Sequence, residues 1–399
     1  MISSILDTDL YKFSTSYAYF SLYPLAEGEF KFTDREKYDW GFDKDMFMAK
    51  FNSHMTCASA LSLTNEEMEW CKKNIPYIPG TYWEWLSTFR FEKEKVNVWF
   101  DEDGVFNCTV RDKLYKVTFY EILILATYSE IRNEIMTTVP FNDRPFILPQ
   151  TLEKLKSKIA FANENSINFS EFGTRRRFSS QVHEHVVDYI HLKSNTCTGT
   201  SNVFYAKRFN MKPIGTFPHE WVMFHGACFG YKRANYLSLE DWIKVYRGDL
   251  GIALVDTYTT KSFLRTLTKQ QALLLSGFRQ DSGDEFEVGE MIISRLKEFG
   301  IDPTTKTIVF SNALDFEKAD KINNYFKDKC KVSFGIGTNL TCDIEPIKIK
   351  PCNIVMKLSR CRLSPKDEWE NCIKISDDAG KHMGDDKEFE IAKHELKID

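Results

Sequence analysis

Three groups of residues carry most of the chemistry this sequence offers. Arg175-Arg176-Arg177 follows Gly173-Thr174 at the end of a strand candidate, Ile167 to Phe172. Guanidinium forks match carboxylate or phosphate, and a helix start supplies backbone N–H donors beside them. The plain alternative is a solvated basic turn. Arg279-Gln280-Asp281-Ser282-Gly283-Asp284 puts one arginine, two carboxylates and a glycine in a single connection. Arg279 there suits an anion, Asp281 a metal ion or sugar hydroxyls, and Asp284 stands where a helix N-cap belongs. Phe334-Gly335-Ile336-Gly337-Thr338 allows close backbone approach to a phosphate. Leu340 stands where a dinucleotide fingerprint needs its third glycine, and no Walker-type lysine loop occurs. His219 follows a short apolar piece, Pro213 to Phe217. His183, His185 and His191 are not spaced to share a metal, and read as surface residues.

The elements that must position these groups alternate. Ile167 to Phe172, Gly251 to Val255, Leu273 to Phe278, Lys306 to Phe310 and Val332 to Phe334 read as strands, with helical patterns between them. A helix after Phe178 presents Val182, Val186 and Ile190 on one face. Another begins near Asp284 and stops at Gly300. The polar clusters, Asp256 included, sit at the carboxyl ends of the strands, where parallel α/β folds place ligands. Roughly six or seven such units favour a (β/α) barrel over an open doubly wound sheet. Upstream, Glu29 to Phe32 alternates like a half-buried strand, Val96 to Phe100 and Val105 to Val110 form a hairpin around Asp103-Gly104, and Phe119 to Ile135 is a buried helix.

Composition narrows the function classes. The 399 residues are 43% hydrophobic and 28% charged, which excludes a disordered chain. No apolar run reaches the about 18 residues of a spanning helix, and the start, Met1 to Phe13, has no secretory signature. A net charge of −4 gives no support for bulk nucleic-acid binding. Ten cysteines without any C-x-x-C pair read as reduced cytosolic thiols.

Six motifs in one order carry a family resemblance: Leu6-Asp7-Thr8-Asp9-Leu10-Tyr11-Lys12, Glu171 to Arg177, Gly199-Thr200-Ser201-Asn202, Gly215-Thr216-x-x-His219-Glu220-Trp221, Arg279-x-Asp281-Ser282-Gly283-Asp284 and Phe334 to Thr338. With the tail segments Pro351 to Leu358 and Lys374-Ile375-Ser376-Asp377, the chain resembles the nicotinate phosphoribosyltransferases, a type II phosphoribosyltransferase family. The resemblance implies an α/β fold. An irregular (β/α) barrel (136–358) would join an N-terminal α/β domain (1–135) that the C-terminal segment (about 359–399) completes. It implies conversion of nicotinate and phosphoribosyl pyrophosphate to nicotinate mononucleotide and pyrophosphate in NAD salvage. Coupled ATP hydrolysis would run through a phosphorylated His219. Phe172 and Tyr11 would stack on the ring, Tyr11 reaching in from the other subunit of a homodimer. Arg279 would meet the carboxylate and Arg175 a phosphate. Asp256 and Asp281 would hold ribose hydroxyls or Mg²⁺, and Gly335, Gly337 and Thr338 the 5′-phosphate. The place would be the cytoplasm, a nuclear pool remaining open, with no nucleic acid or membrane as partner.

Ser201 bears on the substrate. Related nicotinamide enzymes carry an aspartate there, which would repel nicotinate by on the order of 1 kcal/mol or more when partly buried. Serine therefore favours nicotinate. Quinolinate, with two carboxylates, fits less well. A barrel glycoside hydrolase would leave the arginine and glycine loops idle. A non-catalytic relative would not need Tyr11, Arg175, His219, Arg279 and Asp281 together.

Overall fold

The structure is a computed structural model that describes residues 2–38, 40, 43–137, 147–343 and 349–398. Its strands are β1 (Glu27–Asp34), β2 (Val96–Phe100), β3 (Phe106–Lys113), β4 (Phe169–Glu171), β5 (Cys197–Thr200), β6 (Arg247–Leu250), β7 (Ile252–Leu254), β8 (Gly277–Gln280), β9 (Thr307–Phe310), β10 (Lys331–Ile336), β11 (Ile354–Arg362) and β12 (Glu370–Asn371). All of them but β6 build two sheets.

The first sheet is antiparallel, in the order β12-β11-β1-β3-β2. Alternation along β1 turns Gly28, Phe30, Phe32 and Asp34 inward. Glu27 and Glu29 face outward, where Lys113, Arg362, Arg111 and Arg360 pair with them. The Tyr120–Met136 helix covers the inner face, its Tyr128 ring 4.8 Å from that of Phe32. The expected hairpin and buried helix are both present. The strand β11 comes from the far end of the chain, so this sheet is finished only when residues 354–371 return to it.

The second sheet is parallel, in the order β5-β4-β10-β9-β8-β7. It confirms an α/β architecture with a parallel sheet. Barrel closure is not shown: among the described residues the six strands leave β5 and β7 as ends, with isolated bridges Thr200–Pro213 and Asp9–Asn202 at β5 and Tyr258–Ile375 beyond β7. A parallel ladder puts all the carboxyl ends on one rim, and short connections hold the polar clusters there.

Two local expectations fail. Leu273 and Leu274 belong to a helix, Lys269–Leu274, because Thr268 and Gln271 form a capping box ahead of it; the strand starts at Gly277. His183 is buried within the Ser180–Lys193 helix, its Nε2 3.0 Å from Glu171 Oε1, so it is no surface residue. Glu171 consequently binds His183 and Thr200 and leaves the arginines alone.

Arg177 also departs from anion recognition. It is fully buried, pairs bidentately with Asp7 at 2.8 and 3.0 Å, and donates from Nε to Glu130 at 2.8 Å. It ties the N-terminal segment and the Tyr120–Met136 helix to the tip of β4. Removing one side of a buried pair strands the other charge. Arg177→Ala should therefore lower unfolding free energy by about 3–5 kcal/mol, read as a shifted urea midpoint; a loss below about 1 kcal/mol would deny it this role.

Candidate active site

The carboxyl rim of the parallel sheet gathers the singled-out residues. Asp256 and Thr257 lie beyond β7, Asp281 and Ser282 beyond β8, Gly337 and Thr338 beyond β10, Phe172 and Arg175 beyond β4, and Ser201 beyond β5. His219 opens the His219–Phe229 helix, after Ile214 has joined the rim through its N–H to Thr200 O. Asp284 caps the Glu285–Glu298 helix as expected, accepting from Phe286 and Glu287 N–H.

His219 is the centre. Its Nδ1 lies 3.0 Å from Thr257 Oγ1. Its Nε2 lies 3.1 Å from Asp281 Oδ2 and 3.0 Å from Lys374 Nζ. Burial, with Lys374 and Lys357 adding to it, pushes the imidazole well below its ordinary range. The ring is therefore neutral at physiological pH and keeps a lone pair, as a nucleophile must. Burial works to raise Asp281, but the His219 bond and the charges of Arg279 and Lys374 outweigh it and hold the carboxylate ionised.

Asp256 behaves differently. Fully buried, it is pushed up to about 6 by desolvation, and Asp281 adds to the rise. Its Oδ2 accepts from Ser282 and stands 3.9 Å from Lys374 Nζ, while its Oδ1 has no hydrogen-bond partner. One ligand atom each from His219, Asp256 and Asp281 fit within 4.8 Å of one another.

Arg279 adds positive charge to both carboxylates, and its buried Nε has no partner. Arg175 is surrounded by the Tyr11 phenol and the carboxylates of Glu121, Asp281 and Asp9. Arg176 is pulled down to about 10 by burial and by Arg175. Phe172 is seated by glycines: a Cβ on Gly335 would lie 2.5 Å from its ring, and one on Gly337 3.0 Å from its carbonyl oxygen. Gly335 thus has a steric reason to be glycine, whatever else it meets. Tyr11 donates to Glu121 Oε1 at 3.4 Å within its own chain. Lys12, beside it, bridges Glu121 and Glu220, the residue after His219. Gln280 locks the Asp281 loop, donating to the carbonyls of Ser282 and Gly283. Arg175, His219, Arg279 and Gly337 thus share one rim.

Sequence reasoning gave no role to Lys357, Lys374, Lys381 or Thr257. Lys374 reaches His219 across 155 residues, and Lys381 donates to Asp281 O and Asn312 Oδ1. Lys357 and Lys374 carried one signal, membership of the tail motifs; Lys381 and Thr257 carried none. Spacing could not reveal a contact that depends on how the last strands return.

Comparison with known proteins adds an independent line. Residues 167–399 match the model of the nicotinate phosphoribosyltransferase family, and residues 6–129 that of its N-terminal domain. The chain is 40% identical to a nicotinate phosphoribosyltransferase of Desulforapulum autotrophicum, over 98% of this chain and 97% of that one. It is 37% identical to one of Chromohalobacter salexigens, over 100% and 99%. Among solved structures it resembles the nicotinate phosphoribosyltransferase of Porphyromonas gingivalis with a TM-score of 0.95 and 42% identity, each chain covered in full. That of Vibrio cholerae gives 0.88 and 31%, over 100% of this chain and 94% of that one. The motifs, the rim they share and these full-length similarities agree, and the chain belongs to the nicotinate phosphoribosyltransferase family.

Proposed function

We propose that the chain transfers a phosphoribosyl group from phosphoribosyl pyrophosphate to nicotinate, in the salvage route to NAD, with ATP hydrolysis coupled through a phosphorylated His219. The observation that carries this reading is His219 itself: a neutral, nearly buried imidazole between Asp281 and Lys374, on a rim lined by arginines. The pyridine nitrogen attacks C1 of the ribose as pyrophosphate leaves. Charge developing on the leaving group is met by Arg175 and Lys357, while Arg279 takes the ring carboxylate. Phe172 supplies one stacking face, and the backbone of Gly337 and Thr338 approaches the 5′-phosphate. Phosphorylation of His219 adds close to two negative charges at neutral pH. Lys374 is placed to balance them, and hydrolysis reverses the change.

Magnesium fits the residues present. It binds through one or two carboxylates plus substrate phosphates, and the unpartnered Oδ1 of Asp256 with the carboxylate of Asp281 offers that donor set. When bound it would neutralise polyphosphate charge. Closure of the parallel sheet into an irregular barrel, and the division into 1–135 with 359–399 against 136–358, belong to the same proposal. So does a cytoplasmic location, where the ten free thiols stay reduced. No described helix is long and apolar enough to cross a membrane.

Activity with nicotinate and phosphoribosyl pyrophosphate, with and without ATP, is the direct test, run against nicotinamide and quinolinate. Nicotinate should be the substrate turned over and ATP should stimulate it. Labelled ATP should leave an acid-labile phosphoryl group on the protein that His219→Ala abolishes. No such phosphoenzyme would remove the coupling mechanism and leave the transfer reaction standing.

Ser201→Asp should move the preference from nicotinate toward nicotinamide by about tenfold or more, read as the ratio of kcat/KM values. An unchanged ratio would place the ring elsewhere.

In the proposed homodimer, Tyr11 of the partner subunit completes each site. Coexpression of Tyr11→Ala and Arg279→Ala chains would then restore about a quarter of wild-type activity, since half the dimers carry one intact site. If Tyr11 serves its own chain, coexpression restores nothing.

A further inference from the structure

Asp9 holds the N-cap position of the Leu10–Leu22 helix, with extended backbone at φ −75° and ψ 141°, yet its carboxylate makes no capping bond. Aspartate is favoured at that position because it accepts from first-turn amides. Here it turns away. Ser201 Oγ donates to Asp9 Oδ1 at 2.7 Å, and Thr174 bonds the same carboxylate. The pair is rigid, since Leu10 N–H donates to Ser201 O at 2.7 Å and Asp9 forms a β-bridge with Asn202. Both side chains are buried, each 6% exposed.

A serine hydroxyl has one proton. While Asp9 is ionised it takes that proton, and Ser201 shows the pocket only lone pairs. Those suit an amide N–H₂ and oppose a carboxylate. A protonated Asp9 instead donates to Ser201 Oγ, which frees the serine proton to donate to a carboxylate. We propose that Asp9, acting through Ser201, selects a ring bearing a carboxylate by taking up one proton from solvent as that ring binds. No covalent bond outside these O–H groups changes. Asp9 is thus a specificity-determining positioning residue. The proposal rests on the reading that Ser201 faces the nicotinate carboxylate.

The surroundings support a titrating Asp9. Burial lifts its carboxyl above the ordinary value, Glu171 on β4 adds to the rise, and Ser201, Thr174 and Arg175 oppose it. The other groups facing it keep one state near neutrality. Glu171 is held low: burial opposes this, but His183 outweighs it. Burial pushes the Tyr11 phenol well above its usual range. Arg175 stays charged, its anionic neighbours outweighing its burial.

The test measures KM for nicotinate and for nicotinamide from about pH 5.5 to 8.5, a range in which an unperturbed carboxyl is ionised throughout. Wild type, Asp9→Asn and Ser201→Ala are compared, and calorimetry of nicotinate binding in two buffers of different ionisation enthalpy counts protons. Wild-type KM for nicotinate should rise roughly tenfold per pH unit on the alkaline side, KM for nicotinamide should not, and binding should take up about one proton. Asp9→Asn, whose amide donates permanently, should keep the nicotinate preference with a flat profile. A pH-independent wild-type preference, an Asp9→Asn profile like the wild type's, or no proton uptake would overturn the proposal. Calorimetry on the wild type decides alone if Asp9→Asn does not fold. Ser201→Ala separates the two levels. If it leaves the nicotinate-to-nicotinamide ratio intact, the placement of the ring is wrong; if it shifts the ratio while Asp9→Asn does not change the profile, only the proton relay is wrong.

Discussion

Burial depresses the ionisation of both Lys357 and Lys374 at the carboxyl rim, Lys374 adds to the fall of Lys357, and Arg175, Arg176 and Arg279 crowd the same space. Like charges held out of water repel unless something neutralises them. Asp281 and Asp256 do part of this, and Asp256 is itself driven toward protonation. A site built this way is strained toward anions. In the proposed reaction, a sugar bearing a 5′-phosphate and a pyrophosphate, beside a negatively charged ring, would supply the missing negative charge. Anchors elsewhere hold the rim against its own repulsion, Arg177 with Asp7 and Glu130 foremost.

The C-terminal part of the chain is the second device. The strand β11 carries Lys357 and pairs with β1, so one strand serves both the first sheet and the site. Beyond β12, Ile375 exchanges backbone hydrogen bonds with Thr257 and Thr259. Asp377 accepts from Thr260 N–H and Oγ1, and Asp378 accepts from Gly283 N–H. These bonds strap the segment across the tips of β7 and β8, and Lys374 meets His219 as a consequence. The N-terminal segment does the same on the other side, through Asp9 to Ser201 and Lys12 to Glu220.

Phe172 shows how far local sequence reaches. Gly335-Ile336-Gly337 reads in sequence as room for a phosphate, and the glycines do leave room, but at Gly335 the occupant is the Phe172 ring, just beyond the neighbouring β4. The absence of a side chain was legible; its beneficiary depended on β10 pairing with β4. The arginine triplet repeats the point. Three guanidiniums look alike in sequence, and only the fold turns Arg177 into the core while leaving Arg175 at the rim. His183 is buried for a related reason: helical periodicity places it, but its partner Glu171 lies on another element.

By itself the sequence determined the parallel α/β alternation, because strand and helix periods are written in hydrophobic spacing, and it determined which polar clusters follow which strands. It also fixed the family, since six motifs in order are a one-dimensional pattern. The tertiary structure decided the open ends of the described sheet, the bond of Asp9 to Ser201, and the meeting of Lys374 with His219. Those follow from pairings between segments far apart along the chain, whose geometry depends on how whole sheets twist and return, and no local spacing encodes that.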